Sequence, residues 1–355
     1  MSKTDSTGHG AVKEVDLPVT FKALAIEQPG APVSLQQKTL ESLKEGEVLI
    51  RVSYASINSM DPRLALRNVF NLPAPYVLGF DFSGEVVRRG GDAGPEVGEQ
   101  VYGNSILGGG FAEYIVARKE GVLPRGAMPA PEASSFGIAY ITAYESLMIT
   151  GNLPQHKGKW IYIPGAAGGV GHFATQMARL NGLTVIGSAG KASSLNLLRQ
   201  LHVDHVIDYS HQDVVGEIMK LTGGKGVDLV YDSTYAQSSY SQSAAVVASG
   251  GTYIRLGTPA QMTSFGLKDM TPVVEGRGAK MLIGDPGRYR IDPMYQAQAQ
   301  KLYDGQKQAM SWYAEGKVRP VITQTVPFDA AALQKAFEDF LQGKINVGKV
   351  VVKCS

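Results

Sequence analysis

The run Gly165-Ala166-Ala167-Gly168-Gly169-Val170-Gly171 follows a short β-like stretch, residues 159–163, and opens a stretch of helical character. Glycines at such a junction let backbone N–H groups approach a pyrophosphate closely, and the start of the helix adds partial positive charge. The strand before and the helix after point to a dinucleotide site rather than an ordinary tight turn. An ATP-type phosphate loop is excluded, because His172 stands where that loop needs its lysine. Ala167, Gly168, Gly169 and Val170 are the residues expected beneath the pyrophosphate.

The next β-like stretch selects the dinucleotide. It ends Ile186-Gly187-Ser188-Ala189-Gly190-Lys191, without the carboxylate that would bind a ribose 2′-hydroxyl and repel a 2′-phosphate. Ser188 and Lys191 offer a hydroxyl and an ammonium instead, which suits the phosphate of NADPH. Tyr209, just after the third strand, is expected to cover the adenosine ribose or phosphate, or to be a half-buried aromatic at a strand end. His202, His205 and His211 match no metal-ligand spacing and read as a solvated face.

These groups need a scaffold that the rest of the chain supplies. With 355 residues and 44% hydrophobic content, it is long enough for two domains with separate cores. Residues 21–118 show short alternating β runs at 23–26, 48–52, 84–87 and 111–116, which predicts a β-rich domain. After residue 140 strands and helices alternate, which predicts an α/β fold with a doubly wound parallel sheet of Rossmann type. Its strands are expected at 160–163, 183–186, 205–207, 228–231 and 252–256, with 280–283 as an extension and 293–315 as a long helix. Val170, Phe173, Ala174, Met177 and Ala178 repeat at helical spacing and belong to the core. Residues 319–353 return to strand, helix, strand, and the final run at 347–352 rejoins the N-terminal domain.

Composition removes several classes of function. A formal charge of +2, from 34 basic and 32 acidic residues, gives nucleic acid or an anionic membrane no electrostatic grip as main partner. The single cysteine, Cys354, rules out a disulfide framework and a Cys-rich zinc cluster, and fits a reducing, cytoplasmic setting. Residues 1–18 are polar, without an apolar signal core, and read as a flexible head. No stretch has the uninterrupted apolar length of a membrane span.

The order of motifs resembles the medium-chain dehydrogenase/reductase superfamily, in its zinc-free, quinone oxidoreductase-like branch. The resemblance rests on residues 52–61 (VSYASINSMD), 77–87 (VLGFDFSGEVV), 110–114 (GFAEY), 141–147 (ITAYESL), 165–171, 205–209 (HVIDY) and 346–352 (NVGKVVV). It implies a GroES-like domain from residues 19–139 and 317–355, a Rossmann domain from 140–316, an active site in the cleft and a homodimer. By matching position, it places Asn58 by the nicotinamide and substrate, and Thr142 by the nicotinamide ribose or phosphate. Ser233, Leu256, Gly257 and Asn346 would line the rest of the cofactor groove. Asn58 would equally suit a turn cap, and Thr142 the start of a helix.

The departures matter too. Zinc-dependent members carry Gly-His-Glu where this chain has Gly79-Phe80-Asp81. Arg63 stands near where several quinone reductases have a tyrosine. The implied reaction is hydride transfer from NADPH to a quinone or another conjugated carbonyl, with Asn58 steadying developing charge and no metal. Reduction of an enal or enone double bond is the alternative, with Tyr54 and Tyr140 as candidate proton donors. A third reading, of another class, is an NADPH-binding protein without catalysis, structural or RNA-binding.

Overall fold

The computed structural model describes residues 17–68, 70–92, 94–105, 107–257, 262–263, 266–287 and 296–355. Residues 1–16 of the head, residues 258–261, 264–265 and 288–292, and the first residues of the expected helix at 293–315 lie outside them.

Trp160–Pro164 is apolar without a break, the pattern of a parallel strand covered on both faces. Ile161 and Ile163 point into one core with Val185, Leu229 and Tyr231, while Tyr162 points into the other with Ile186, Val230 and Tyr253. Six parallel strands lie in the order His205–Asp208, Thr184–Ala189, Trp160–Pro164, Val227–Asp232, Val247–Leu256, Lys280–Gly284. In sequence terms this is the 3-2-1-4-5-6 order of a Rossmann sheet, and its switch point lies between the two central strands. The helix Gly171–Leu180 buries Phe173, Ala174, Met177 and Ala178 against that sheet.

A second, seven-stranded sheet runs Ile322–Pro327, Lys349–Lys353, Glu47–Ile57, Asp81–Arg89, Gln100–Asn104, Val122–Pro124, with Tyr114–Arg118 also paired to Glu47–Ile57. A small sheet of Val33–Thr39, Thr20–Ile26 and Tyr76–Val77 completes this GroES-like half. Lys349–Lys353 reads KVVVK, and Val350 and Val352 fill the core shared with Val52, Ala55 and Phe82. The helix Gln296–Ala314 bridges the halves: its Gln306 and Gly305 carbonyls accept from the hydroxyls of Tyr102 at 2.9 Å and Tyr140 at 3.1 Å.

Several strand boundaries depart from expectation, among them 111–116, observed as Tyr114–Arg118, and 252–256, observed as Val247–Leu256; one departure bears on the site. The second Rossmann strand continues to Ala189, because Ser188 is paired on both sides, with Ile207 and with Pro164. Small side chains weaken the hydrophobic signal there, yet the backbone ladder carries the strand on.

Candidate active site

The glycine-rich turn sits at the end of Trp160–Pro164. Gly165 has φ +62°, and the Gly168 amide donates to its carbonyl at 2.9 Å. Gly171 has no room for a side chain, since a Cβ there would stand 2.1 Å from the Gly165 oxygen. That approach swings the helix start towards the strand end. Among the described residues no carbonyl accepts from the amides of Gly169 and Val170. Two free N–H groups at a helix start suit the pyrophosphate of a dinucleotide.

A strap from the far end of the chain closes over this turn. Gly348 donates its amide to Ala167 O at 2.8 Å, and Lys349 donates its own to Val321 O at 2.7 Å. Val321 N–H in turn donates to His172 Nε2 at 3.3 Å. A backbone amide can only donate, so Nε2 accepts and Nδ1 carries the proton, which goes to Gly168 O at 2.9 Å. Burial keeps this imidazole neutral, holding it down at about 4.

Beside the strap, four neighbouring strands bring one polar row together. Ser56 and Asn58 are two residues apart and share a face of the pleat. The register sets Asp81 opposite Ser56, Asn104 opposite Asp81, and Val350 opposite Ile57, which brings Lys349 level with Asn58. The Lys349 ammonium donates to Asn58 Oδ1 at 2.7 Å and to Ile57 O at 3.2 Å, and lies 3.8 Å from Asp81 Oδ2. Asn58 Nδ2 donates to the same Asp81 oxygen at 2.8 Å, and Ser56 Oγ does so at 3.0 Å. An ammonium only donates and a carboxylate only accepts, so the Asn58 amide has a single possible orientation.

Asp81 and Lys349 are almost fully enclosed, at 0% and 2% exposure, and Asn58 keeps 9%. Burial raises the Asp81 carboxyl, with Lys349 opposing, and lowers the Lys349 ammonium, with Asp81 opposing. A second buried carboxylate, Asp61, accepts the amides of Asn58 at 2.7 Å and Gly79 at 2.9 Å. Burial pushes it up to about 7. Asp81 Oδ1 also accepts the Ile138 amide at 2.7 Å, which ties down the helix Ile138–Tyr144. Asn104 ends the row with both side-chain amide atoms buried and, among the described residues, without a hydrogen-bond partner.

The other expected site residues fall into two groups. Ala167, Gly168, Gly169, Val170 and Asn346 meet at the turn: a Cβ at Gly168 would lie 4.0 Å from Asn346 O. Thr142 is buried in the interior of Ile138–Tyr144 and does not start that helix. Ser233 leaves Val227–Asp232 just before Thr234, whose methyl group borders Gly165. Leu256 ends its strand, and the Gly257 amide donates to Gly284 O at 3.1 Å.

Ser188 and Lys191 are not brought to one spot. The Ser188 hydroxyl is buried against Tyr162 Oη at 2.9 Å, whereas exposed Lys191 donates to Gly343 O at 2.7 Å. Tyr209 is 53% exposed with its ring against Gly190. Tyr140 is fully buried, its hydroxyl donates to Gly305 O at 3.1 Å, and burial holds that hydroxyl well above the ordinary value. Arg63 donates to Ser59 O at 2.7 Å and interacts electrostatically with Tyr235, in the loop after Val227–Asp232.

The sequence assigns no role to Ser56, Asp61, Asp81, Asn104 or Lys349, although all but Asn104 lie in the runs that carry the family resemblance; what marks them is a charged or polar side chain inside apolar strand runs, as in GFDFSG and GKVVV.

A dinucleotide turn at the switch point of a Rossmann sheet, facing a polar row on a GroES-like sheet, defines a nicotinamide-dependent oxidoreductase. Two family models match: "Alcohol dehydrogenase GroES-like domain" over residues 44–129 and "Zinc-binding dehydrogenase" over residues 169–291. The chain is 26% identical over 339 residues to a quinone oxidoreductase of Homo sapiens, covering 94% of this chain and 97% of that one. It is 28% identical over 328 residues to the trans-enoyl reductase pgmF of Aspergillus terreus, covering 88% of each. Among solved structures, the quinone oxidoreductase from Coxiella burnetii aligns with a TM-score of 0.77 at 24% identity, over 95% of this chain and all of that one. The chain belongs to the medium-chain dehydrogenase/reductase superfamily and is an oxidoreductase of that superfamily. Its substrate is a small molecule, and no described helix is long and apolar enough to cross a membrane.

Proposed function

We propose that the protein transfers hydride from NADPH to a quinone or related conjugated carbonyl, without zinc. The observation that carries this reading is the Lys349–Asn58–Asp81 set. Phe80 stands at the histidine of the zinc motif and has no atom that can ligate. An ammonium 3.8 Å from Asp81 occupies the neighbourhood that a dication would need. No group of three or more His, Cys, Asp or Glu among the described residues could hold a metal. The donors present do not fit a catalytic zinc, which needs about three protein ligands and an open position.

The turn does fit a nicotinamide dinucleotide, with the Gly169 and Val170 amides for its pyrophosphate. When bound, that cofactor supplies the hydride. NADPH is favoured because no carboxylate follows Thr184–Ala189, while Lys191 is exposed at that end of the strand. The part of this chain is orientation and charge: Asn58, held by Lys349 and Asp81, presents an amide to the oxygen that gains electron density. A reduced quinone oxygen takes its proton from solvent, so no acid–base triad is required. The same reading puts the protein in the cytoplasm as a homodimer, paired through the outer strand Lys280–Gly284.

Similarity to the trans-enoyl reductase favours one alternative, reduction of a conjugated carbon–carbon double bond. Oxidation of NADPH and of NADH should be followed across naphthoquinones, alkenals and enones. Fastest turnover of a naphthoquinone with NADPH is the expected result. Faster alkenal turnover would replace it with the alternative, and dinucleotide binding without oxidation would remove catalysis altogether.

A further inference from the structure

Lys349 touches both parts of the site. Its head holds Asn58, as above, while its stem crosses the dinucleotide turn: a Cβ placed on Gly169 would lie 3.7 Å from Lys349 Cδ and 3.5 Å from Gly348 O. The backbone on either side is fastened as well, by Gly348 N to Ala167 O and Lys349 N to Val321 O. No slack separates turn and amide.

We propose that Lys349 is a positioning residue that makes seating of the dinucleotide and setting of the Asn58 amide a single event. This rests on the reading of the site as a nicotinamide-dependent reductase. A ligand that settles on the Gly169 and Val170 amides restrains the strap, and the strap carries the ammonium that fixes Asn58 Oδ1. With Oδ1 taken by Lys349 and one Nδ2 hydrogen by Asp81, the second Nδ2 hydrogen has one direction left to it. Without the ammonium the amide is free to rotate or flip, and a donor that points the wrong way gives no help to developing negative charge.

Lys349→Met alone would leave the Asp81 carboxylate buried without its cation, and Asp81→Asn alone leaves the Lys349 ammonium without its anion, so thermal unfolding is used first to establish that each variant is folded. The test therefore uses the neutral pair Lys349→Met/Asp81→Asn, with Asp81→Asn as its control, each with and without Asn58→Ala. Relative to Asp81→Asn, the pair should lose kcat by on the order of tenfold to a hundredfold. Adding Asn58→Ala to the pair should cost nothing more, because the lysine acts through that amide. A pair that keeps the control's kcat, or losses that multiply, would overturn the proposal.

A second readout needs no turnover. In protein with 15N-labelled asparagine, the Asn58 side-chain resonance should shift when NADPH is added to Asp81→Asn, and should not shift in the pair at saturating NADPH. Equal shifts in both would also overturn the coupling. A wild-type protein that binds NADPH but oxidises it with no acceptor would fail the functional reading alone, since this resonance would still report the coupling.

Discussion

His172 and Val321 are joined by a hydrogen bond that only a neutral imidazole can accept, from Val321 N–H to Nε2 at 3.3 Å. The ring lies in the helix after the turn, and Val321 just before the strand Ile322–Pro327. Protonation would break the bond and place a cation near Lys349.

This gives a pH signature with two opposing parts. His172 falls from 6.5 in the unfolded chain to about 4 in the fold, so its contribution destabilises as pH drops through that interval. Asp61 rises from 3.8 to about 7, so its contribution destabilises as pH climbs through that interval. Each amounts to about 3–4 kcal/mol, and the two oppose each other between about pH 4 and 6.5. Relative to wild type, His172→Gln should gain stability towards acid and Asp61→Asn should lose it, as read from urea midpoints. Parallel pH profiles for the three proteins would refute the assignment.

Gly171→Ala should be among the more damaging single changes at the turn. The new methyl would stand 2.1 Å from Gly165 O and 2.9 Å from Ala166 Cα, both backbone atoms. Overpacking of this kind costs about 1–3 kcal/mol. Thermal unfolding should show that loss, and NADPH titration of the folded protein should show weaker binding. Unchanged affinity would mean that the helix start does not touch the cofactor.

Ser188 and Lys191 should separate under mutation. Ser188→Ala removes a buried hydroxyl pair with Tyr162 and should cost about 1 kcal/mol of stability, with the NADPH-to-NADH preference intact. Lys191→Ala removes an exposed cation and should lower that preference about five- to tenfold, with the melting temperature unchanged. Ratios of kcat/KM for the two cofactors decide the matter, and a shifted ratio for Ser188→Ala would restore it to the phosphate site.

Asn104→Leu should stabilise the protein and impair it. Both amide atoms are buried without partners, an arrangement that costs about 1–3 kcal/mol and that a leucine would relieve. Such strain is kept where a ligand relieves it. The variant should melt higher and turn over its acceptor more slowly; a higher melting point at full activity would assign Asn104 no role.

Prolonged dialysis against a strong chelator should leave turnover unchanged. A loss restored by zinc would overturn the metal-free reading, which rests on Phe80 and on the Lys349–Asp81 pair.

The turn was legible in the sequence because its evidence is local: a strand, glycines and a helix within about twenty residues. The parallel sheet was legible for the same reason, since each strand and helix carries its own hydrophobic period. Ser188 was not, because Gly187, Ser188 and Ala189 look like the loss of a strand, and only pairing with Ile207 and Pro164 keeps them in it. The polar row was hidden more deeply. Asn58 meets Asp81 across 23 residues and Lys349 across 291, and antiparallel register, which leaves no trace in local composition, is what aligns them.

That last separation bears on how the protein is made. At ribosomal speeds of about 5–20 residues per second, Lys349 is added roughly 15–60 s after Asn58. Until then the nascent chain carries Asp81 without its countercharge and a central strand, Glu47–Ile57, that lacks its Lys349–Lys353 neighbour. Synthesis thus delivers the Rossmann half before the polar row is complete. Chains truncated before this lysine would carry the glycine-rich turn without the strap that closes over it.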